Sequence, residues 1–179
     1  IKIYVKQKQP WLDNFDQNYI KVATDENKLM SLLDFYSHSH YKNAIIYAND
    51  KKTVKSIQDA FSKEKLYKIG QENKVSFATD VFKEATNIND VDLIINFNVP
   101  ITFDIYLKRL GYPSNINSKK TVINICDSFE MDYLNKIENF FHIEIPQYIN
   151  EPMKSKSSTS QPKQTPPSTP NVIKQEIKI

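Results

Sequence analysis

Short runs of apolar residues, each too brief for a helix, alternate along this chain with longer stretches in which apolar residues recur every three or four positions. The short runs are Asn43 to Ala48 (NAIIYA), Val75 to Ala78, Leu93 to Phe97 and Thr121 to Cys126. They read as parallel strands covered on both faces, and Ile94, Ile95 and Phe97 are good strand formers. Tyr19 to Ala23 fits an edge strand. The longer stretches put Leu29, Leu32, Leu33 and Tyr36 on one helical face and Val54, Ile57 and Phe61 on a second. Phe103, Tyr106, Leu107 and Leu110 form a third, with Lys108 and Arg109 near its rim, and Met131, Leu134, Ile137 and Phe141 a fourth. Asn49 or Asp50 is placed to cap the second helix, and Asp127 with Glu130 makes a capping box for the fourth. Strands alternating with helices predict βαβ units, right-handed crossovers and an α/β fold with a mostly parallel sheet.

Composition narrows the setting. A chain of 179 residues favours one core. No apolar run is long enough to span a bilayer, and no secretory signal pattern is present. The lone cysteine, Cys126, rules out an internal disulfide, which fits an intracellular compartment, cytoplasmic or nuclear. A first residue of Ile rather than Met suits a segment of a longer protein or a processed product. The net charge of +3 comes wholly from the C-terminal part: residues 1–150 hold 19 basic and 19 acidic residues, while the rest holds 5 lysines and 2 acidic residues. A neutral core has no broad electrostatic grip on nucleic acid, so any RNA contact should be local and shape-dependent.

Pro152 to Pro170 is dense in Ser, Thr, Pro, Gln and Lys and lacks aromatics, so residues 150–179 are expected to be a disordered tail. Thr165-Pro166 and Thr169-Pro170 have the form of proline-directed phosphorylation sites, and Ile173 to Glu176 has the spacing of a SUMO acceptor. The closing NVIKQEIKI is either a strand donated to a partner sheet or a frayed end.

Chemistry-bearing residues are few. Thr79 and Asp80 stand where a strand ends, the side of an open α/β sheet on which ligands bind. Asn49, Lys51 and Lys52 stand at a helix start, where backbone amides and two lysines can hold phosphate; the plainer reading makes the lysines solvated and Asn49 a cap. A P-loop or a dinucleotide fingerprint needs glycines that are absent: Gly70 precedes Gln71 and Gly111 precedes Tyr112. His38 and His40 lack further ligands for a metal. Cys126 and His142 read as packing or rim residues, and Trp11 as an anchor against the lobe or a partner.

From roughly Asn14 to Tyr148 the order of motifs resembles the second, C-terminal RecA-like lobe of DEAD-box ATP-dependent RNA helicases. AIIYAND (Ala44 to Asp50) resembles motif IV, ATDVFKEATNI (Ala78 to Ile88) motif V, IINFNVP (Ile94 to Pro100) the strand after it, and YLKRLG (Tyr106 to Gly111) the start of motif VI. The opening IKIYVKQKQPWLDNFDQNYIKV resembles the inter-lobe linker and first strand, most like the mRNA-export and translation-initiation branches. The resemblance implies a linker over 1–17, a RecA-like lobe over 18–149, single-stranded RNA as a partner, and an upstream RecA-like lobe or another protein beside it. It also implies degeneracy. The motif V arginine, glycine and ribose-binding acid are matched by Glu84, Ala85 and Asn87, and the two motif VI arginines by Tyr112 and Asn115. Arginine fingers are worth roughly 10³ to 10⁵ in rate. Arg109 matches the preceding, lobe-bracing arginine. Between Phe61 and Val75 the family has a strand, a turn and an RNA-contacting helix, where this chain has only SKEKLYKIGQENK, with Leu66 to Ile69 a remnant strand; the fold is therefore expected to be short by about one βα unit. ATP and magnesium serve the family, but neither is expected on this chain. The function implied is an RNA-associated or protein-interaction module without ATPase activity. Its alternatives are a pure protein scaffold and a lobe completed by an active first lobe upstream.

Overall fold

The computed structural model describes residues 10–66, 74–81, 90–111 and 119–149. A 3₁₀ helix at Pro10–Asn14 leads into β1 (Phe15–Lys21), α1 (Asn27–Ser37), β2 (Asn43–Tyr47), α2 (Lys51–Lys63) and β3 (Lys74–Ala78). β4 (Leu93–Asn96), α3 (Phe103–Leu110), β5 (Lys120–Cys126) and α4 (Ser128–Phe141) follow. All five strands are parallel, in the order β1-β5-β4-β2-β3. The described residues all belong to one compact unit. The modification motifs of the tail, residues 1–9 of the linker and positions 67–69 of the remnant strand lie outside the described residues.

The apolar runs are continuous because the sheet is covered on both sides. Ala44, Ile46, Leu93, Ile95, Ile123 and Ile125 face a core shared with α1 and α2, whereas Ile45, Tyr47, Ile94, Val122 and Cys126 face one shared with α3 and α4. Successive residues of a strand point to opposite faces, so a two-faced strand must be apolar at nearly every position.

The helix caps form where the sequence placed them. Asp50 is the N-cap of α2 and Asp127 with Glu130 closes a capping box on α4. Two expectations are corrected. The edge strand is Phe15–Lys21 rather than Tyr19 to Ala23, because Phe15 and Gln17 are the residues that turn inward, and it begins inside the stretch read as linker. Arg109 is not at the rim of its helix: it is 1 % exposed, since α3 lies on the sheet with the Tyr106, Arg109 and Leu110 side facing down. On α1, Leu32 and Tyr36 are buried as expected, and Phe35 and Lys28 join them, while Leu29 and Leu33 are only partly covered. Among the described residues no element separates α2 from β3.

Candidate functional site

The carboxyl ends of β2, β3 and β4 meet beneath α3, and Arg109 ties them together. Its Nε donates to Asp80 Oδ1 at 2.7 Å and one terminal nitrogen to Asp80 Oδ2 at 2.9 Å, a bidentate pair. The other terminal nitrogen donates to Asn96 Oδ1 at 3.1 Å and to the Asn98 carbonyl at 2.6 Å. Asn49 Oδ1 lies 3.5 Å away, and the guanidinium sits 5.3 Å from the ring centre of Tyr47. Arg109 is also the single arginine of the chain.

The polar line continues inward. Asn96 donates to Asn124 Oδ1 at 2.8 Å on the neighbouring strand, and Asn124 donates to the Asn18 carbonyl at 3.2 Å on the next. Tyr106 of α3 bonds Gln17 of β1. Reading the strands as apolar runs missed this line. Its signal was available, because asparagines inside LIIN and VINIC need buried partners.

At the start of α2, the Asp50 carboxylate accepts from the Thr53 amide at 2.9 Å and the Thr53 hydroxyl at 2.8 Å. Those hydrogen bonds, the amide's first, hold the Asp50 carboxyl below its ordinary range. Lys51 and Lys52 are exposed in the first turn, and the Asn49 amide donates to Asn98 Oδ1 at 3.2 Å. Thr79 is buried and Asp80 is bound by Arg109. Thus the sequence-derived residues Asn49, Asp80 and Arg109 do come together, with Thr79 beside them and Lys51 and Lys52 on the solvent side. Glu84, Ala85, Asn87, Tyr112 and Asn115 lie outside the described residues.

Between β2, β3 and α3 lies a cavity of about 110 Å³ lined by Tyr47, Thr79, Asp80, Val81, Lys108 and Arg109. Among the described residues the buried Tyr47 hydroxyl has no hydrogen-bond partner, and burial pushes its pKa upward. A second buried charge lies at the carboxyl end of β5, where Lys28, 1 % exposed, pairs with Asp25 at 3.0 Å and with Glu130. Glu130 Oε1 also accepts the Val99 amide at 3.2 Å, so the pair staples α1, α4 and the β4 loop.

The remaining single residues fall into the packing. Cys126 is buried, and that burial pushes its thiol up to about 12. Trp11 stands edge-on to Phe15 at 5.9 Å, against the lobe. His38 is exposed at the end of α1 near Asp34, and exposed His142 ends α4 in a left-handed conformation. Among the described residues no group of three His, Cys, Asp or Glu side chains is placed to hold a metal, and no helix is long and apolar enough to cross a membrane.

An all-parallel sheet sandwiched by helices, with polar side chains converging at the strands' carboxyl ends, makes this an open α/β lobe. No family model matches the chain. It is 26% identical over 167 residues to eukaryotic initiation factor 4A of Dictyostelium discoideum, covering 82% of this chain and 41% of that protein. With the ATP-dependent RNA helicase FAL1 of Candida albicans it shares 23% over 175 residues, 86% of this chain and 44% of the other. Among solved structures, E. coli DEAD-box protein SrmB bound to RraA superposes with a TM-score of 0.63 at 19% identity, over 75% of this chain and 91% of that one. S. cerevisiae Dbp5 bound to Gle1 and IP6 gives a TM-score of 0.64 at 20% identity, over 78% of this chain and 43% of that one. The homologues of the chain are DEAD-box RNA helicases, and its fold is their C-terminal RecA-like domain. It spans about two fifths of the length of the curated relatives it matches.

Proposed function

We propose that this chain is a DEAD-box-type C-terminal lobe that takes no part in phosphoryl transfer and works as a binding module, contacting RNA backbone through Asn49, Lys51 and Lys52. The commitment of Arg109 carries this reading. An arginine finger must present a guanidinium to the transferring phosphoryl. The only guanidinium on the chain is buried and bidentate with Asp80, and withdrawing it would strand that carboxylate. ATP and magnesium are accordingly assigned no ligand on this chain.

RNA contact is supported by the two exposed lysines at a helix N-terminus and by relatives named as RNA helicases. With Thr79 buried and Asp80 bound, the contact belongs to the α2 side. A protein scaffold is the second reading. Its support is that SrmB and Dbp5 are described in complex with the proteins RraA and Gle1, and that Ile101, just before α3, and Phe129, in the first turn of α4, stand exposed here. A lobe of an active helicase, completed by an upstream first lobe, would need a second arginine.

The test has two arms. ATP hydrolysis is measured for the whole chain with single-stranded RNA, alone and mixed with a DEAD-box first lobe. No stimulation by this chain is expected, and RNA-stimulated turnover would overturn the reading. Fluorescence anisotropy of labelled single-stranded RNA at two salt concentrations, beside a Lys51→Ala, Lys52→Ala variant, should show salt-sensitive binding weakened in the variant. Absence of RNA binding would leave the scaffold.

A further inference from the structure

We propose that the groove between α1 and the C-terminal end of α2 docks a basic amphipathic helix of a protein partner. The groove has a volume of about 450 Å³ and is lined by Met30, Leu33, Asp34, Ser37, Glu64 and Leu66. It lies apart from the proposed RNA contact and does not rest on it. Lys51 opens α2 and Glu64 caps its far end, so about 20 Å of helix separates the two.

α1 carries two stripes. Lys28, Leu32, Phe35 and Tyr36 are buried on one side. Met30, Leu33, Asp34 and Ser37 recur at i, i+3, i+4 and i+7, and all four line the groove. That spacing is the one by which a helix face offers itself to a second helix. Met30 is 71 % exposed on this stripe, and a methionine adapts its shape to whatever packs on it. The opposite wall is fixed by backbone. The Leu66 amide donates to the Phe61 carbonyl at 2.9 Å and the Lys65 amide to the Ser62 carbonyl at 3.2 Å, with Lys65 left-handed at φ 53°. This end turns the chain back, and Leu66, like Leu33, is half-buried against the α1–α2 core.

Charge selects the occupant. The ionisable side chains lining the groove are both carboxylates, Asp34 on one wall and Glu64 on the other, and both are exposed. Lys63 and Lys65 flank Glu64 in sequence, and His38 Nδ1 stands 3.5 Å from Asp34 Oδ1, but none of the three lines the groove. An apolar floor between two carboxylates suits apolar side chains flanking a lysine or arginine, and repels a nucleic-acid phosphate or an anionic lipid surface. From Met30 to Ser37 the stripe rises about 10 Å, so about two turns of partner helix match it.

The whole chain is immobilised and exposed to acetylated, amidated 14-residue peptides of helical pattern, with leucine or methionine at every third or fourth position and lysine or arginine between. Two matched pools carry glutamate or glutamine in place of the lysine and arginine. The basic pool should be retained at least about tenfold better than either. Asp34→Lys with Glu64→Lys should lower that retention at least about tenfold and move the preference to the glutamate pool, an exchange that loss of fold cannot produce. Met30→Gln should lower retention of the basic pool about fivefold with the thermal midpoint unchanged, because the side chain is exposed in the free lobe. Equal retention of the three pools, or an unchanged preference in the doubly reversed variant, would overturn the proposal. Lys51→Ala with Lys52→Ala should leave peptide retention as it is. A loss there would put the peptides at the other end of α2 and overturn it as well. RNA anisotropy does not enter this test, so peptide docking and RNA contact fail separately.

Discussion

A guanidinium under a helix is tolerable only if each N–H finds an acceptor, and Arg109 meets that condition with groups drawn from β4 and the loops after β2, β3 and β4. Arg109→Met should therefore lower unfolding free energy by about 3 kcal/mol in urea titrations, because Asp80 keeps a partly buried charge with no partner. Adding Asp80→Asn should restore part of the loss. Titration offers a second check. Cys126, ordinarily near 9.0, is held up to about 12, so the native chain keeps a proton that the unfolded chain gives up above pH 9. This contribution is complete below pH 9 and disappears as pH rises toward 12, with a slope of up to about 1.4 kcal/mol per pH unit. Tyr47 and Tyr106, both raised by burial, act in the same direction at higher pH. Urea midpoints should fall steadily above pH 9, and Cys126→Ala should flatten the first part of the decline. The lobe-bracing position of Arg109 was legible through the motif. Its burial was not, because every partner lies eleven or more residues away in sequence.

Helix ends were the most legible elements, since capping acts over three residues. Asp50 and the Asp127–Glu130 box form as their spacing indicates. Under the proposed RNA contact, the cap of α2 would oppose a phosphate, because its carboxylate immediately precedes Lys51 and Lys52. Asp50→Ser keeps a capping oxygen and removes the charge, so RNA affinity at low salt should rise in anisotropy titrations. An unchanged affinity would separate Lys51 and Lys52 from the contact. The start of β1 was less legible. Phe15 and Gln17 face inward only because β1 pairs with β5, which lies at the far end of the lobe's sequence.

On the scale of the lobe, the free side of β1 is covered late. The Tyr19 amide donates to the Pro146 carbonyl at 3.0 Å, the Tyr148 amide donates to the Tyr19 carbonyl at 2.7 Å, and Tyr148 stands edge-on to Phe35. Ile145 is buried in the α3–α4 core. Of two shortened variants, one ending at Ile149 and one at Ile143, the second should be less stable by about 2 kcal/mol or more in thermal and urea unfolding, mostly through Ile145. Equal midpoints would mean that the closing segment contributes little to the lobe.

The sequence by itself determined the alternation of strands and helices, the parallel class of sheet, the caps and the helicase resemblance, because all of these rest on short-range periodicity and on motifs a few residues long. Tertiary structure alone decided which strands are neighbours, that Asn96 and Asn124 face each other across two of them, that the only arginine is consumed by Asp80, and that Tyr47 lies under α3 with its hydroxyl unpaired among the described residues. Those facts depend on groups brought together from distant segments, and a local pattern carries no record of which distant group will arrive.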